Sequence, residues 1–196
     1  MLRLTGGEFR GRMIHSPAGL HTRPTQARLR QALFNSIQLL IPDSNVLDLF
    51  AGAGTLGFEA ISRGARKVTF VEHDRSSFRL LEKNVEELGI HDRVELVGES
   101  VERAVPRLLR GAPFDIVIAD PPYAEGWEKR ILSGFEGKIS WQEVLAPGGN
   151  LLIEWGRLKS RDFKMEELPE SAPFLAKVRE KIYGESVLTT YERAEA

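Results

Sequence analysis

The sequence has 196 residues, 42% hydrophobic and 28% charged, with a net charge of −1, which is typical of one folded globular domain with a short extension. It has no cysteine, so disulfides, cysteine-based zinc sites and thiol nucleophiles are excluded, and its four histidines lack metal-ligand spacing. No apolar run approaches the roughly 18 residues of a membrane span, and the N-terminus has no signal-like apolar segment. We therefore expect a cytoplasmic monomer that binds neither metal nor membrane.

The N-terminal part of the chain is basic through arginine alone. Residues 1–44 contain six arginines, no lysine and two acidic residues, so this segment carries +4 and the remainder carries −5. Arginine presents a planar fork of donors that matches phosphate, whereas lysine presents a point charge. The pattern indicates either a polyanion held at this end of the molecule or a solvated basic face, and charge alone does not separate the two.

The first predicted elements are a small hairpin and a helix. Residues 1–24 alternate short apolar pieces with glycines, which is typical of a β-hairpin or arm. A helix follows, with Thr25 as its N-cap and Pro42–Asp43 at its end. Helical spacing predicts a buried face of Leu29, Ala32, Leu33, Ile37 and Leu40 and an exposed face of Arg28, Arg30, Gln31 and Gln38.

From residue 45 onward, strand patterns alternate with helix patterns. Short runs that are apolar at nearly every position predict buried strands at Val46–Phe50, Lys67–Val71, Val94–Val97, Phe114–Ala119 and Asn150–Glu154. A helix with Asp74 as N-cap and Gly89 after its end separates the second and third strands, and Gly64 closes the helix before it. Pro106 fits poorly within a helix across 100–110, so this helix is predicted to start late or to kink.

These elements predict a Rossmann-like α/β fold. Alternating βα units form a parallel, doubly wound sheet with right-handed crossovers. The segments Val178–Tyr183 and Val187–Tyr191 flank a glycine turn and predict a terminal hairpin. We expect a seven-stranded, mostly parallel sheet with an antiparallel C-terminal hairpin in a domain over 25–196, preceded by the arm at 1–24.

The loop after the first buried strand is the first candidate site. It reads Asp48-Leu-Phe-Ala-Gly-Ala-Gly-Thr-Leu-Gly57, between a strand and a helix. Gly52 and Gly54 allow a tight turn and a close approach of the backbone to a ligand. Glu72, 20 residues after Gly52 and at the end of the second strand, can accept both hydroxyls of a ribose. The loop predicts an adenosine-containing cofactor and leaves NAD and S-adenosylmethionine (SAM) open.

The segment Asp120-Pro121-Pro122-Tyr123 follows the fourth strand, at the sheet edge that carries the ligand crevice in such folds. The exocyclic amine of a nucleobase is a poor nucleophile because its lone pair is delocalised into the ring. Acceptors on its two hydrogens favour the tetrahedral geometry that methylation needs, and Asp120 with a carbonyl of the Pro-Pro step can supply them. Tyr123 offers a ring on which a splayed-out base can stack. This segment therefore predicts methylation of a base amine, with SAM as cofactor.

The motifs DLFAGAGTLGFEA, VEHD and DPPY, in this order, resemble those of class I SAM-dependent methyltransferases that modify amino groups. The segments MLRLTGGEFRGR, RPTQARLRQALFN, LAPGGNLLIEW and YGESVLTTYE extend the resemblance over nearly the whole chain to the RsmD family. Members of that family methylate guanine N2 in 16S ribosomal RNA of the assembling small subunit.

This resemblance implies three groups of contacts. The cofactor would be held by Asp48, Phe50, Gly52, Gly54, Glu72, Glu99 and Ser100. The target base would be held by Asp120, Pro121, Pro122 and Tyr123, with Asp120 and Pro121 on the amine and Tyr123 stacked on the ring. Phosphates of the RNA would be held by Arg10, Arg12, Arg23, Arg28 and Arg30. The implied partner is the 16S RNA of the small ribosomal subunit.

Three other functions remain open on the residues alone. A DNA adenine-N6 methyltransferase suits DPPY equally, although the sequence shows no second domain that could recognise DNA. An NAD-dependent oxidoreductase explains the glycine loop and Glu72 but leaves DPPY and the arginines without a role. A non-catalytic assembly factor with the same fold is disfavoured by the intact Asp120 and glycine loop.

Overall fold

The structure is a computed structural model that describes residues 1–17, 24–108, 113–122, 125–156 and 167–194, with the side chains of Pro24, Thr25, Gln26 and Arg28 outside the description. The predictions for Arg23, Tyr123 and the side chains of Thr25 and Arg28 therefore lie outside the described residues. No helix within these ranges combines the length and the apolarity that crossing a bilayer requires. The same ranges contain no group of three or more potential metal ligands.

The described residues form a mixed series of strands and helices. The strands are β1 (Leu2–Arg3), β2 (Met13–Ile14), β3 (Asn45–Asp48), β4 (Lys67–Val71), β5 (Val94–Val97), β6 (Phe114–Ala119), β7 (Leu145–Gly156), β8 (Ser171–Ala172), β9 (Leu175–Tyr183) and β10 (Ser186–Arg193). The helices are α1 (Pro24–Ser36), α2 (Thr55–Ser62), α3 (Arg75–Leu88), α4 (Val101–Leu108), α5 (Trp127–Leu132), α6 (Gly134–Gly137) and α7 (Trp141–Val144).

The main sheet has the predicted doubly wound topology. Its strand order is β5-β4-β3-β6-β7-β10-β9-β8, with β5 to β7 parallel and β10, β9 and β8 added antiparallel. The predicted fold class is confirmed. The two-residue strand β8 makes eight strands where seven were expected, and its shortness explains why no alternating pattern revealed it. Strands β1 and β2 form the predicted N-terminal hairpin.

Helices cover both faces of this sheet, and two apolar clusters fill the layers between them. One cluster joins α1, α2 and α3 to the sheet and includes Leu2, Leu4 and Ile14 from the hairpin. The other contains residues of α4 to α7 and is built around Trp141 and Tyr191. The hairpin therefore shares a core with the domain that follows it.

Local signals predicted the caps of α3 correctly, whereas α4 departs from its prediction. The Asp74 side chain accepts a hydrogen bond from the Ser77 amide at 2.8 Å, and Gly89 has a φ of 70°, so both predicted caps of α3 are confirmed. Helix α4 starts at Val101 and contains Pro106. The helix therefore does not start late, and Pro106, which has no N–H, removes one helical hydrogen bond within it.

Helix α1 departs from its prediction at its end and on one face. It stops at Ser36, where the hydroxyl donates to the Leu33 carbonyl at 2.7 Å, and Leu40, predicted on the buried face, is exposed. Arg30, predicted on the exposed face, is only 7% exposed. Leu40 lies beyond the end of the helix, whereas Arg30 is buried through tertiary contacts that the helical period does not contain.

Candidate active site

A cavity of about 560 Å³ opens where the carboxyl ends of β3, β4 and β6 meet. Because parallel strands end at the same edge, the loops that follow them converge there. Seven of the predicted site residues line this cavity: Phe50, Gly52, Glu72, Glu99, Asp120, Pro121 and Pro122. The glycine loop and the Asp120 segment, far apart in sequence, thus form one site.

Glu72 organises the glycine loop through its carboxylate. One oxygen accepts a hydrogen bond from the Gly52 amide at 2.7 Å, and the other accepts one from the Asp74 amide at 2.6 Å. Each carboxylate oxygen has two lone pairs, so both retain capacity for a ligand hydroxyl. Glu72 is buried to 9% exposure and lines the cavity. Its position is compatible with the predicted ribose contact, which stays a prediction.

The two predicted glycines face different surroundings. Gly52 has a φ of 54° and lines the cavity, and a Cβ added to it would meet no atom within 4 Å. A Cβ on Gly54 would lie 2.4 Å from Phe58 Cε2 and 2.5 Å from Leu81 Cδ2. Gly54 therefore faces the core, and its absence of a side chain serves the packing of α2 and α3.

Asp48 lies behind the cavity wall at 1% exposure. Its Oδ2 accepts a hydrogen bond from the Gly57 amide at 3.0 Å, and its Oδ1 has no hydrogen-bond partner in the described part of the chain. Burial raises the pKa of Asp48 to about 7; the Gly57 amide opposes this effect and the charge of Glu72 adds to it. The carboxyl group is therefore poised to ionise near neutral pH.

Asp120 belongs to a cluster of three acidic groups. Surrounding protein atoms displace water from its carboxyl group, and the charges of Glu154 and Asp48 add to this effect, so the pKa of Asp120 lies well above its ordinary value. Although the residue as a whole keeps exposed surface, the repulsion from the two neighbouring carboxylates raises the pKa in the same direction.

Of the adjacent residues Glu99 and Ser100, both predicted to hold the cofactor, only Glu99 lines the cavity. Glu99 lines the cavity, pairs with Arg107 through one oxygen and leaves the other without a partner among the described residues. Ser100 is not a lining residue; its carbonyl accepts the amides of Arg103 and Ala104, each at 3.0 Å, and so begins α4.

The opposite wall comes from the N-terminal segment, which was predicted to contact RNA only. Leu2, Ser16, Pro17, Leu29 and Arg30 line the cavity. The hairpin is fixed there by two buried polar side chains. Glu59 on α2 accepts from the Thr5 amide at 2.8 Å, and Asn84 on α3 accepts from the His15 amide at 2.7 Å. The first seventeen residues are therefore part of the site.

The predicted arginines divide by environment. Arg10 is exposed, and Arg12 is exposed but donates to the Glu87 carbonyl at 2.9 Å. Arg30 is buried and donates to the Arg3 carbonyl at 3.0 Å, with Glu59 3.9 Å away. The expected exposure of Arg30 is therefore wrong, and its predicted RNA contact stays a prediction.

Comparison with known proteins identifies the family. A family model described as "Conserved hypothetical protein 95" matches residues 2–192. YlbH of Bacillus subtilis (strain 168) is 30% identical over 193 residues, which cover 98% of this chain and 99% of that protein. Ribosomal RNA small subunit methyltransferase D of Escherichia coli (strain K12) is 38% identical over 125 residues, which cover 64% of this chain and 62% of that protein. This chain belongs to the RsmD family.

Solved structures agree with this membership. The Escherichia coli protein yhhF superposes on the RsmD-family chain with a TM-score of 0.81 at 31% identity, covering 100% of this chain and 99% of that one. A SAM-dependent methyltransferase from Agrobacterium tumefaciens has a TM-score of 0.60 at 16% identity, over 88% of this chain and 63% of that one, which shows a shared fold. The predicted family and fold are confirmed.

Sequence reasoning missed several residues of this RsmD-family site. Glu154 lines the cavity from β7, and its position at the end of a predicted parallel strand was a signal for the same edge. Ser16, Glu59 and Asn84 do not follow a predicted strand, and the partners of Glu59 and Asn84 are distant in sequence. Glu59 alone was conspicuous, as an acidic residue within the apolar run of α2.

Proposed function

We propose that this chain transfers a methyl group from SAM to the exocyclic N2 amine of a guanine in the 16S RNA of the small ribosomal subunit, acting as a monomer. One observation carries the proposal: Asp120 and Pro121 line the same cavity as Gly52 and Glu72. An acceptor pair for a base amine therefore adjoins a carboxylate suited to a ribose. Relatives named ribosomal RNA small subunit methyltransferase D support ribosomal RNA as the substrate class.

The polar atoms of the cavity fit this cofactor. Buried polar side-chain atoms in native proteins nearly always have hydrogen-bond partners. In the described part of the chain, five buried polar side-chain atoms lack a hydrogen-bond partner. Three of these atoms belong to the cavity-lining residues Ser16, Arg30 and Glu99, and a fourth belongs to Asp48 behind the wall. Such clustering indicates a site completed by a ligand. When bound, SAM supplies an electrophilic methyl group on a positively charged sulfur, and carboxylates are suitable neighbours for that charge.

Asp120 and Pro121 are the groups we propose to act on the amine. An ionised Asp120 accepts one amine hydrogen, and the Pro121 carbonyl accepts the other, so the nitrogen lone pair leaves conjugation with the ring. Because the pKa of Asp120 is raised, its carboxyl group binds a proton more readily than an ordinary aspartate does in the protein without ligand. A cation in the cavity favours the ionised form, in which Asp120 is an acceptor.

The RNA contact that we propose at the arm rests on its exposed arginines. Arg10 and Arg12 are exposed on the hairpin, and Arg23 and Arg28 belong to the same basic segment. Replacing Arg10 by Ala is expected to weaken RNA binding and to reduce the slope of log affinity against log salt by about one. Arg103→Ala, an exposed arginine on α4, is the control. An unchanged slope for the Arg10 variant would remove Arg10 from the RNA contact.

The direct test is methyl transfer to ribosomal particles. Purified protein and labelled SAM are incubated with small subunits from a strain that lacks the resident enzyme, and the RNA is digested to nucleosides for mass spectrometry. We expect N2-methylguanosine. Label in N6-methyladenine after incubation with DNA, and none in the RNA, would favour a DNA methyltransferase instead. Absence of transfer to either, by protein that binds SAM, would contradict the proposal.

A further inference from the structure

The two walls of the cavity differ in charge. Four lining residues are acidic: Glu72, Glu99, Asp120 and Glu154. Arg30 is the one lysine or arginine among the described lining residues, and it lies on the wall made by the arm and α1. In a ligand that carries both positive groups and an anionic group, the anionic group would therefore find its cationic partner at Arg30.

Arg30 is a buried cation with incomplete pairing. Its Nη2 donates to the Arg3 carbonyl at 3.0 Å, but its Nε has no hydrogen-bond partner in the described part of the chain. Glu59 lies 3.9 Å from that nitrogen, beyond hydrogen-bond distance. Burial lowers the pKa of Arg30, and Arg63 adds to this against the opposing charge of Glu59. A guanidinium stays protonated in proteins, so this charge calls for a further counterion.

Glu59 makes its hydrogen bonds to partners other than Arg30. One oxygen accepts the Thr5 amide at 2.8 Å, while the other accepts the Thr5 hydroxyl at 2.6 Å and Arg63 Nε at 2.8 Å. This carboxylate is fully buried and mainly fixes the hairpin to α2. Because these bonds hold Glu59 3.9 Å from Arg30 Nε, that nitrogen remains able to donate to a ligand.

A second unpaired donor lies on the same wall. The Ser16 hydroxyl is buried without a hydrogen-bond partner among the described residues, and Ser16 lines the cavity. The preceding residue, His15, is held by Asn84 through both its amide, at 2.7 Å, and its carbonyl, at 3.0 Å. Ser16 is therefore placed by the fold.

We propose that Arg30 and Ser16 form the subsite for the carboxylate at the amino-acid end of the methyl donor. The inference rests on the proposed function, because it takes SAM as the ligand. SAM has a positive sulfur, a positive amino group and one carboxylate, which matches a cavity with an acidic strand edge and a single arginine. The planar fork of a guanidinium suits a carboxylate. An RNA phosphate is the other source of an anion, but Arg30 is 7% exposed and lines the cavity.

The test compares two ligands that differ only in the carboxylate. Dissociation constants of SAM and decarboxylated SAM are measured by titration calorimetry with the full chain and with Arg30→Gln. We expect the unmodified protein to bind SAM roughly 10- to 100-fold more tightly than the decarboxylated form, as for a charged hydrogen bond. Arg30→Gln is expected to bind the two ligands about equally and to retain its affinity for decarboxylated SAM. Ser16→Ala is expected to reduce the preference by roughly 2- to 10-fold.

The controls separate charge from folding. Arg63→Gln removes another arginine partner of Glu59 but leaves the cavity wall intact, so it should keep the preference for SAM. Binding of decarboxylated SAM by Arg30→Gln shows that the variant is folded. If that variant does not fold, Arg30→Lys keeps the charge but loses the planar fork, and a reduced preference is expected.

Several outcomes would overturn the inference. The first is equal affinity of the unmodified protein for both ligands. The second is an undiminished preference for SAM in Arg30→Gln or, where that variant does not fold, in Arg30→Lys. The third is the same loss of preference in Arg63→Gln. Weaker RNA binding by Arg30→Gln with the preference intact would assign Arg30 to a phosphate instead. Failure of the unmodified, folded protein to bind SAM at all would defeat the proposed function, and the inference with it.

Discussion

The strand edge and the N-terminal arm form opposite walls of one cavity, yet they are built in different ways. Glu72 and Asp120 stand directly after β4 and β6, so the ends of parallel strands place them. Ser16 and Arg30 are placed by Glu59 and Asn84, through contacts between segments that are far apart in sequence. On the first wall, topology predicted where the residues lie, whereas on the second wall the sequence pattern predicted the wrong environment for Arg30.

The largest effect is expected at the strand edge, from Asp120→Asn. Because its carboxylate is proposed to act mainly in the transition state, turnover should fall by roughly 10²- to 10³-fold, with much less effect on SAM affinity. Turnover is measured with ribosomal particles and affinity by calorimetry. Glu143→Gln, an exposed carboxylate on α7, is the control. Equal losses in turnover and affinity would place Asp120 in cofactor binding instead.

The same wall should make stability depend on pH through Asp48. Its pKa is raised to about 7 in the folded protein, so the folded state keeps a proton that the unfolded chain releases from about pH 4 upward. Stability without ligand should therefore fall as pH rises from about 4 to 7, by at most about 1.4 kcal/mol per pH unit. Denaturant unfolding of Asp48→Asn should show a flatter profile, and the exposed Asp92→Asn should not. A flat profile for the unmodified protein would contradict the burial of Asp48.

Two glycine variants should separate packing from ligand contact at the edge. The first variant is Gly57→Ala. Its Cβ would lie 2.1 Å from Phe70 Cε1, and such overpacking costs about 1–3 kcal/mol of stability. Gly52→Ala should cost roughly 1–2 kcal/mol through its positive φ, and its methyl group should also weaken cofactor binding. Thermal unfolding and calorimetry measure the two effects. Full cofactor affinity in Gly52→Ala would mean that this backbone does not adjoin the ligand.

A smaller effect is expected at the other wall, from Asn84→Ala. This side chain donates to the carbonyls of His15 and Ala53 at 3.0 and 3.2 Å, so it links the arm to the glycine loop. Its loss should cost roughly 1–2 kcal/mol, speed hydrogen exchange at the His15 amide and weaken cofactor binding. Asn35→Ala, exposed on α1, should do none of these. Unchanged exchange at His15 would show that Asn84 does not fix the arm.

The features that the sequence predicts correctly lie mainly at the strand edge, and those that it misses lie mainly at the arm. Strands β4, β5 and β6 have their predicted bounds, since a short apolar run between turn signals is a local pattern. The caps Asp74 and Gly89 are local as well. Arg30 is buried where it donates to the Arg3 carbonyl and lies near Glu59, and the helical period of α1 does not predict these contacts. For the same reason, the sequence did not predict that the arm, expected only to contact RNA, lines the cavity.

The most direct test is a crystal structure of the full chain with S-adenosylhomocysteine, the product form of the cofactor. The ligand should occupy the cavity between the arm and the strand edge, with Glu72 within hydrogen-bond distance of the ribose hydroxyls and the sulfur facing Asp120. A ligand bound elsewhere, or a sulfur remote from Asp120, would contradict the assignment of this cavity as the methyl-transfer site.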